Sequence, residues 1–484
     1  MRILNTIFIC FLLLSCVSFG QNAFYKVYSG LGYDVGKGVA ELNDSSYVVC
    51  GTSTSWEGSA QAFLMKVDSL GNRQWTFDYG GPESDGASRV LYKENLGLFT
   101  IGYTNSLGLG DYNGLVMHMS VDGALVWESK LGSDNAWEFL YDAVFVEDSS
   151  IICVGESQSL LDGDKDIFMA RISKEGDVLW DLKIENSGTD YATSIVNIED
   201  SLFAVGGTFY CSDSLIQKGF VMKINNQGSV LWRDTVGSEL GAYVIEDLAI
   251  AVDKINAVGA REVTIENHDS YLLKLNFEGD VLFEQTENDP NGESDVIMDE
   301  IAFVPTVTKN IIGFRVINAF SFQDDYDANI GFFNESSFLW MNNFTSINYL
   351  GLDEVNQLLP TSDGSFIAVG QTTYPLSGGS NIFILKASAQ NDFPNTAEYY
   401  TIDSFVGVDQ SLKLESVTFH PNPCEDSFVL AFDGSPRYMK IYDNIGNLML
   451  EREVYPGVLI DISLFNSGLY YIHINNEINK LIKL

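Results

Sequence analysis

A glycine followed four residues later by a tryptophan recurs through most of the chain at nearly constant spacing. The anchors are Gly71/Trp75, Gly123/Trp127, Gly176/Trp180, Gly228/Trp232, the degenerate Gly279/Phe283, and Trp340 alone. Successive aromatic residues are separated by 52, 53, 52, 51 and 57 positions. A period near fifty residues indicates a propeller or a solenoid, because each unit must bury its apolar face against its neighbours.

Each repeat contains four short β-type runs, which in the second repeat are Trp75–Tyr79, Ser88–Tyr92, Leu98–Tyr103 and Leu115–Val121. The first run carries the anchor aromatic and is here called the Trp-type run. The third and fourth runs each occur seven times, and so does the Trp-type run if Phe24–Gly30 is counted. Four strands in seven copies predict a seven-bladed β-propeller. The repeats begin with a lone Trp-type run and end with a fourth-type run, Ile382–Lys386. We therefore expect the N-terminal strand to complete the last blade and close the ring, which removes exposed sheet edges. An open solenoid, the alternative, would need polar capping repeats.

The links between runs alternate between short and long. Short links join the second run to the third, as at Asn43–Ser46, and carry the anchor glycine, as at Asp68–Asn72. Because successive strands reverse direction, the long links must all emerge on one face. Loops on a rigid scaffold usually carry function, so this face, near the central channel, is the predicted location of any site.

Composition excludes some partners. The chain has 66 acidic and 27 basic residues, for a formal net charge of −39. Binding to nucleic acid or an anionic membrane requires clustered Lys and Arg, so neither partner is expected. Arg2, the apolar run Ile7–Leu14 and Ser18-Phe19-Gly20 predict a signal peptide over residues 1–20. No window reaches transmembrane length. The alternative at this end is a lipoprotein site with Cys16 acylated.

A calcium site is predicted on one long link. Asp162, Asp164 and Asp166 alternate there, and such a run can offer three oxygen ligands to Ca²⁺. Ser173 stands where a full EF-hand loop requires Glu. The alternative is that these side chains cap their own turns. No other cofactor is expected.

Catalytic motifs are sparse, and no catalytic residue is assigned. His268, beside Asp269 in a predicted long loop, is the one candidate base, without a Gly-x-Ser-x-Gly partner. The cysteines show no CxxC spacing. Loop carboxylates leave a hydrolase or lyase open as an alternative. Binding of a glycan or protein ligand is favoured by aromatic residues in or beside the long links, namely Trp56, Tyr112, Trp137, Tyr210, Tyr326 and Tyr374.

The motif Lys66-Val67-Asp68-x-x-Gly71-x-x-x-Trp75 is similar to the tryptophan-docking repeat of pyrroloquinoline-quinone dehydrogenase propellers. The resemblance implies that the tryptophan locks neighbouring blades together. Those enzymes have eight blades and usually an adjacent cysteine pair, whereas this chain has seven predicted blades and no Cys-Cys. Quinone binding is therefore not expected.

Four motifs follow in fixed order near the C-terminus: His420–Pro423, Met439–Gly446, Ile460–Leu464 with Gly468-Leu469-Tyr470, and Lys480–Leu484. Together they resemble the C-terminal sorting domain of Bacteroidetes type IX secretion substrates, although His420 replaces the family's leading Tyr. The resemblance implies export by the type IX machinery to the outer cell surface or the medium. The matching sorting-signal positions are Pro421, Asn422, Pro423, Tyr442, Gly446, Gly468, Tyr470, Lys480 and Lys483.

The sequence thus predicts an all-β protein, a seven-bladed β-propeller followed by a small C-terminal β-sandwich. The predicted segments are a signal peptide at 1–20, the propeller at 22–388, a polar linker at 389–416 and the sorting domain at 417–484. The expected function is that of an exported binding or adhesion scaffold.

Overall fold

The computed structural model describes residues 23–483 apart from 31, 56–58, 107–111, 134, 186–187, 212–215, 237–240, 265–266, 288–293, 305–308, 319–325, 334–337, 344–352, 374–378, 389–397, 402–417, 421–423, 425, 432–436, 444–446, 455–457 and 475–476. The predicted signal peptide and Cys16 lie outside these residues. The chain divides into two compact units, Met1–Asp409 and Gln410–Leu484. No described residue is helical, and within the described part of the chain no helix could cross a membrane.

Six four-stranded antiparallel sheets, here called blades 1 to 6, follow the N-terminal strand β1 (Phe24–Ser29) in strict chain order. Blades 1 to 3 consist of β2 (Asp34–Glu41), β3 (Tyr47–Ser53), β4 (Gln61–Val67), β5 (Arg73–Tyr79), β6 (Asp85–Lys93), β7 (Gly97–Thr104), β8 (Asn113–Met119), β9 (Leu125–Leu131), β10 (Ala136–Phe145), β11 (Ile151–Ser159), β12 (Lys165–Ile172) and β13 (Val178–Ile184).

Blades 4 to 6 repeat this pattern. They consist of β14 (Tyr191–Glu199), β15 (Leu202–Cys211), β16 (Ile216–Asn225), β17 (Val230–Val236), β18 (Ala242–Ala251), β19 (Lys254–Thr264), β20 (Asn267–Leu275), β21 (Val281–Glu287), β22 (Ser294–Val304), β23 (Lys309–Asn318), β24 (Tyr326–Phe333) and β25 (Phe338–Asn343).

Blade 7 joins the two ends of the propeller. It contains β26 (Asp353–Pro360), β27 (Ser365–Thr372) and β28 (Asn381–Ser388), and β1 supplies its fourth strand. β1 pairs antiparallel with β28, with Tyr25 opposite Leu385. The predicted closure by the N-terminal strand is confirmed. A further strand, β29 (Glu398–Thr401), pairs in parallel with the outer edge of β1, although it falls in the stretch predicted to be a linker.

The first strand of each blade lies innermost. The inner strands β2, β6, β10, β14, β18, β22 and β26 contact one another in sequence, and β26 contacts β2. This cycle establishes a closed ring of seven blades. Because strands alternate in direction, the inner strands all begin on one face, here called the entry face. The Trp-type run that opens each sequence repeat is the fourth strand of the preceding blade, as Trp75 in β5 shows. The long links of the sequence are therefore the links between second and third strands and the crossovers between blades, and both lie on the entry face.

Burial follows position within a blade. The second strand β3 is buried on both faces (BBBBBiB by residue), whereas the outer strand β13 is mostly exposed. Neighbouring blades cover both sides of the middle strands, so these strands appear in sequence as continuous apolar runs instead of alternating ones. The core consists of separate clusters between adjacent blades, for example around Phe203, Phe220 and Met222.

The repeated Gly-x-x-x-Trp motif forms the joint between adjacent blades. Gly176, with φ +97°, turns the third-to-fourth-strand link of blade 3, and a Cβ there would lie 2.9 Å from the Trp127 ring of blade 2. Trp127 Nε1 donates a hydrogen bond to Lys174 O in the same link at 3.0 Å. Trp180 and Trp232 bond to the next blades in the same way. The repeat period is therefore the spacing of interlocking joints, as the docking resemblance implies.

The C-terminal unit is a two-sheet sandwich, as predicted. One sheet has the order β30 (Thr418–His420), β31 (Ser427–Ala431), β34 (Leu459–Asp461), and the other has the order β33 (Leu448–Val454), β32 (Arg437–Asp443), β35 (Gly468–Ile474), β36 (Glu477–Lys483). Both sheets contribute to one buried core, with Phe428 and Ile460 from the first and Ile441 and Ile472 from the second.

Candidate functional site

Every inner strand contains a β-bulge at the same level. In each pairing of an inner strand with its neighbour, the register skips a residue at this level, as between Gly36 and Gly38 in blade 1, and β14 has a second shift between Asn197 and Glu199. The skipped residues, in blade order, are Lys37, Ser88, Tyr141, Thr193, Glu246, Asp299 and Asn356. A bulge bends the strand and redirects its side chain. The seven bulges therefore form a ring of seven polar side chains.

All seven bulge residues line a single cavity of about 670 Å³ in the central channel. Thr52, Tyr103 and Glu156, which lie in the later parts of second strands, line it as well, and these strands run towards the entry face. The volume falls within the roughly 300–1,000 Å³ typical of small-molecule sites. The cavity therefore lies in the part of the channel nearer the entry face.

Aromatic residues form the wall contributed by blades 2 to 4. Tyr103, Phe139, Tyr141 and Tyr191 line the cavity, and the Tyr103 and Phe139 rings meet edge to face at 5.3 Å. Phe139 and Tyr141 lie two positions apart on β10 and therefore share the channel side of the strand. Burial, with the nearby Glu156, raises the pKa of Tyr141. Burial also raises the pKa of Tyr191 to about 12.

Acidic residues form the wall contributed by blades 5 to 7. Glu246, Asp299, Glu300 and Glu354 line it, and Gln371 Nε2 donates to Glu354 Oε2 at 2.7 Å. Of the cavity's basic groups, Lys165 Nζ lies 2.7 Å from Glu156 Oε1. Lys37 Nζ donates to Asn356 Oδ1 at 2.9 Å, which bridges blades 1 and 7.

The residues that follow the bulges tie adjacent blades together. Arg89 Nε lies 2.6 Å from Asp142 Oδ1, and Asp142 Oδ2 accepts from Ile195 N in the next blade at 2.9 Å. Asp247 Oδ2 accepts from Ile301 N at 2.9 Å in the same way. Ser194 Oγ accepts from Leu248 N of blade 5 at 3.3 Å in the same way, and Gln357 Oε1 accepts from Val39 N of blade 1 at 2.5 Å. These side chains form a buried hydrogen-bonded belt around the channel.

Two carboxyl groups that follow the bulges, those of Asp247 and Glu300, lie in an unfavourable environment for ionisation. Burial raises the pKa of Asp247 to about 6, although Arg89 and the Ile301 amide oppose the shift. Burial and the neighbouring Asp247 carboxylate raise the pKa of Glu300 well above its usual value. Burial alone would lower the pKa of Arg89, but the adjacent Asp142 carboxylate raises it. Protons are therefore bound more tightly on this side of the cavity than on exposed carboxylates.

Acidic residues at the starts of inner strands organise the entry-face loops. Asp34 Oδ2 accepts from Gly30 N at 2.9 Å and from Ser55 Oγ at 2.8 Å. Asp85 Oδ2 accepts equivalent bonds from Gly81 N at 3.0 Å and from Ser106 Oγ at 2.6 Å. Both carboxylates are fully buried. Their contacts give them a structural role, as anchors between consecutive loops.

The three aspartates of the predicted calcium site have different surroundings. Asp162 is exposed, and its Oδ1 accepts from Asp164 N at 3.3 Å, a bond that caps its own turn. Asp164 Oδ1 accepts from Gly188 N at 2.8 Å, and Asp166 lies on β12 opposite Ser157. No group of three His, Cys, Asp or Glu side chains within the described residues is arranged to hold a metal ion. Calcium binding stays a prediction.

One of the predicted binding aromatics, Tyr112, packs against the cavity wall with Trp137 behind it, and the predicted position of His268 changes. The ring centroid of Tyr112 lies 5.4 Å from that of Trp137 and 5.2 Å from that of Phe139, a cavity-lining residue. Tyr210 is half-buried at the end of β15, while Trp56, Tyr374 and the side chain of Tyr326 lie outside the described residues. His268 lies in strand β20 opposite Glu262, so its predicted loop position is wrong.

The described sorting-signal residues lie in the C-terminal sandwich. The Tyr442 and His473 rings lie 4.8 Å apart, and Tyr470, which is buried, donates from its hydroxyl to Asn466 O at 2.7 Å. Lys483 Nζ lies 3.2 Å from Asp426 Oδ1. Gly468 and Lys480 are exposed. Pro421, Asn422, Pro423 and Gly446 lie outside the described residues.

Comparison with known proteins addresses the two units separately. Residues 418–484 match the family described as the secretion system C-terminal sorting domain. No curated protein matches the chain. Similar solved structures include the WD40 domain of Neurospora crassa Pan2, at 12% identity over 76% of this chain and 98% of that one, with a TM-score of 0.45. They also include the propeller domain of the Trilobed protease from Pyrococcus furiosus, at 9% identity over 75% and 95%, with a TM-score of 0.43. A third is the periplasmic gluconolactonase PpgL of Pseudomonas aeruginosa, at 11% identity over 63% and 85%, with a TM-score of 0.40.

The fold defines the class, an all-β protein with a closed seven-bladed propeller and a C-terminal sandwich. The sandwich matches the sorting-domain family over nearly its whole length. The chain is therefore a type IX secretion substrate that carries a β-propeller ahead of its sorting domain. The sorting domain directs it through that machinery to the cell surface or the extracellular space.

Proposed function

We propose that the propeller is a binding scaffold whose ligand enters the channel cavity from the entry face. The observation that carries this proposal is the ring of seven bulges, whose residues all line one cavity. The backbone geometry repeats seven times there, yet no residue occurs twice and all seven are polar. A packing role alone would favour repetition, as at the Gly-Trp joints. A varied set of polar groups around one cavity suits the recognition of an asymmetric ligand.

A hydrolase or lyase is the second candidate, and the pKa of Glu300 supports it. Glycosidases pair a carboxyl group with a raised pKa, which acts as a general acid, with a second carboxylate that stays ionised. Glu300 and Asp299 are adjacent in the chain and both line the cavity. This candidate differs from the sequence-based alternative, which used loop carboxylates, because Asp299 and Glu300 both lie on the inner strand β22.

The export route has a finer part that we also propose. After removal of residues 1–20, the protein of a Bacteroidetes bacterium would cross the outer membrane and stay on the cell surface or be released. N-terminal sequencing of the exported protein tests this, with Gln21 as the expected first residue. A fatty-acylated Cys16 at the N-terminus would instead establish the lipoprotein alternative.

Glycan and peptide arrays probed with the full chain test the binding proposal. Ser88→Trp places an indole at a cavity-lining bulge, and Leu161→Trp, at a side chain that is 88% exposed, is the matched control. Array binding that is lost in Ser88→Trp and kept in Leu161→Trp supports the cavity as the site. Binding that survives Ser88→Trp contradicts it. Cleavage of an arrayed glycan, abolished in Glu300→Gln, would establish the enzyme candidate.

A further inference from the structure

We infer that the cavity recognises an organic cation, an ammonium or guanidinium group held between its aromatic and acidic walls. This inference rests on the proposed function and specifies its ligand class. It follows from the distribution of charge and aromatic rings around the ring of blades. A free amine or guanidine carries such a cationic group, and so does a Lys or Arg side chain of a peptide.

The cavity has an excess of negative charge. Five acidic side chains line it against three basic groups, Lys37, Arg89 and Lys165, and four carboxylates remain when Glu300, whose pKa is raised, holds its proton. Two of these basic groups are within ion-pair distance of carboxylates, Lys165 with Glu156 at 2.7 Å and Arg89 with Asp142 at 2.6 Å. Asp142 belongs to the buried belt and adds a further negative charge behind the wall. The field inside the cavity therefore favours a cation.

The two walls face each other across the channel. The aromatic residues belong to blades 2 to 4 and the acidic residues to blades 5 to 7, so that Tyr141 of blade 3 is nearly opposite Asp299 of blade 6 in the seven-membered ring. A cation between such walls gains ring-quadrupole attraction on one side and carboxylate attraction on the other. Desolvation within a cavity strengthens both interactions.

Size distinguishes an organic cation from a metal ion. A cavity of about 670 Å³ is far larger than one hydrated divalent ion needs, and no three acidic side chains of the described residues converge on a point. The raised pKa values of Glu300 and Asp247 give independent support. Burial is the main cause of both shifts, and the neighbouring Asp247 carboxylate adds to the raised pKa of Glu300; a bound cation would offset that second contribution.

The test is calorimetric titration of the full chain with Nα-acetyl-arginine methylamide and with its neutral isostere, Nα-acetyl-citrulline methylamide. The arginine compound should bind at least about tenfold more tightly, and its affinity should fall as ionic strength rises. The tripeptide Gly-Arg-Gly forms a second arm. Tighter binding of the tripeptide than of the single residue would identify a peptide as the source of the cation.

Two matched pairs of variants locate the site. Glu246→Gln should weaken binding of the arginine compound by about fivefold or more, whereas Glu175→Gln, at a side chain 63% exposed outside the cavity, should leave it unchanged. Tyr141→Leu should weaken binding, and Tyr141→Phe, which keeps the ring, should not. Thermal unfolding of each variant separates lost binding from lost folding.

The outcomes separate this inference from the function on which it rests. Equal affinity for the arginine and citrulline compounds overturns the cation inference and leaves a cavity that binds a neutral group. A second outcome would also overturn the cation inference and leave the binding function standing. In that outcome, array ligands bind and lose their binding in Ser88→Trp, but neither the arginine nor the citrulline compound binds. Failure of every arrayed and soluble ligand would overturn the proposed binding function as well.

Discussion

The ring of Phe24 lies directly against Gly71, so that a Cβ at Gly71 would be 2.8 Å from Phe24 Cδ2. Phe24 pairs with Lys386 across blade 7, as Trp127 pairs with His118 in blade 2 and Trp180 with Arg171 in blade 3. Gly71 belongs to blade 1. The N-terminal strand therefore closes the ring with the joint that links the other blades, with a phenylalanine in the tryptophan position.

Phe24→Ala should destabilise the propeller by roughly 3 kcal/mol or more, because it empties a buried aromatic site at the closure. Tyr33→Ala, at a side chain 65% exposed, is the control and should change the free energy of unfolding by less than about 1 kcal/mol. Chemical denaturation measures both. Equal effects of the two substitutions would contradict the role of Phe24 in closure.

Gly176→Ala should cost more than Gly123→Ala, although both glycines have a positive φ of +97° and +88°. The added Cβ would lie 2.9 Å from the Trp127 ring in the first case and 3.5 Å from the Trp75 ring in the second. Gly123→Ala should show only the backbone term of about 1–2 kcal/mol. The difference in free energy of unfolding measures the crowding at the joint, and no difference would mean that the tryptophan moves freely.

Asp142→Ala should destabilise the propeller by about 3–5 kcal/mol, because it leaves Arg89 buried without its partner and removes the acceptor of Ile195 N. Replacing both residues of the pair, in Arg89→Met/Asp142→Leu, should cost less than the two single substitutions together. A double-mutant cycle in denaturant gives the coupling. Simple additivity would show that the two groups do not interact.

Stability should fall as pH rises through about 6, the pKa to which Asp247 is raised from its ordinary 3.8. The folded state binds this proton more tightly than the unfolded state, so the stabilisation is fully present below pH 3.8 and is lost as pH passes the folded-state pKa. The shift corresponds to about 3 kcal/mol for this group alone. Asp247→Asn should flatten the decline in melting temperature between pH 3.8 and about 6. An unchanged slope would contradict the assignment.

Much of the fold could be predicted because it repeats. The spacing of Trp75 and Trp127 indicated the length of one blade. The lone run at Phe24 predicted that the N-terminal strand completes the last blade and so closes the ring. Repetition works because every joint satisfies the same packing requirement. The strand β29, by contrast, pairs with β1 once only, so no internal copy exists from which to recognise it.

The residues that line the cavity could not be predicted from sequence. Its bulge residues, such as Lys37, Tyr141 and Asn356, share no residue type and occupy an inner-strand position where the pairing slips. A one-residue bulge leaves no reliable signal in hydrophobic periodicity. The aromatic Tyr112 was a partial signal, since its ring contacts Phe139 of the cavity wall, and Trp137 packs against Tyr112. The aspartate run at Asp162 was a weaker signal of a binding site, because aspartates cap turns as well as bind Ca²⁺.

The strand β1 completes blade 7 by pairing with β28 and so fastens the last blade of the ring that surrounds the cavity, and disulfide trapping tests that closure most directly. Tyr25 and Leu385 are paired directly across β1 and β28, and paired Cα atoms at about 4.5–5.5 Å are within disulfide range. Among the cysteines whose side chains the structure describes, Cys50, Cys153 and Cys424 are buried and should not compete, and Cys211 is replaced by Ser in both variants. Tyr25→Cys/Leu385→Cys should form a disulfide under mild oxidation, whereas Tyr25→Cys/Ile384→Cys, whose side chains point to opposite faces, should not. A folded protein in which neither pair, or both pairs equally, becomes oxidised would contradict the closed seven-bladed ring.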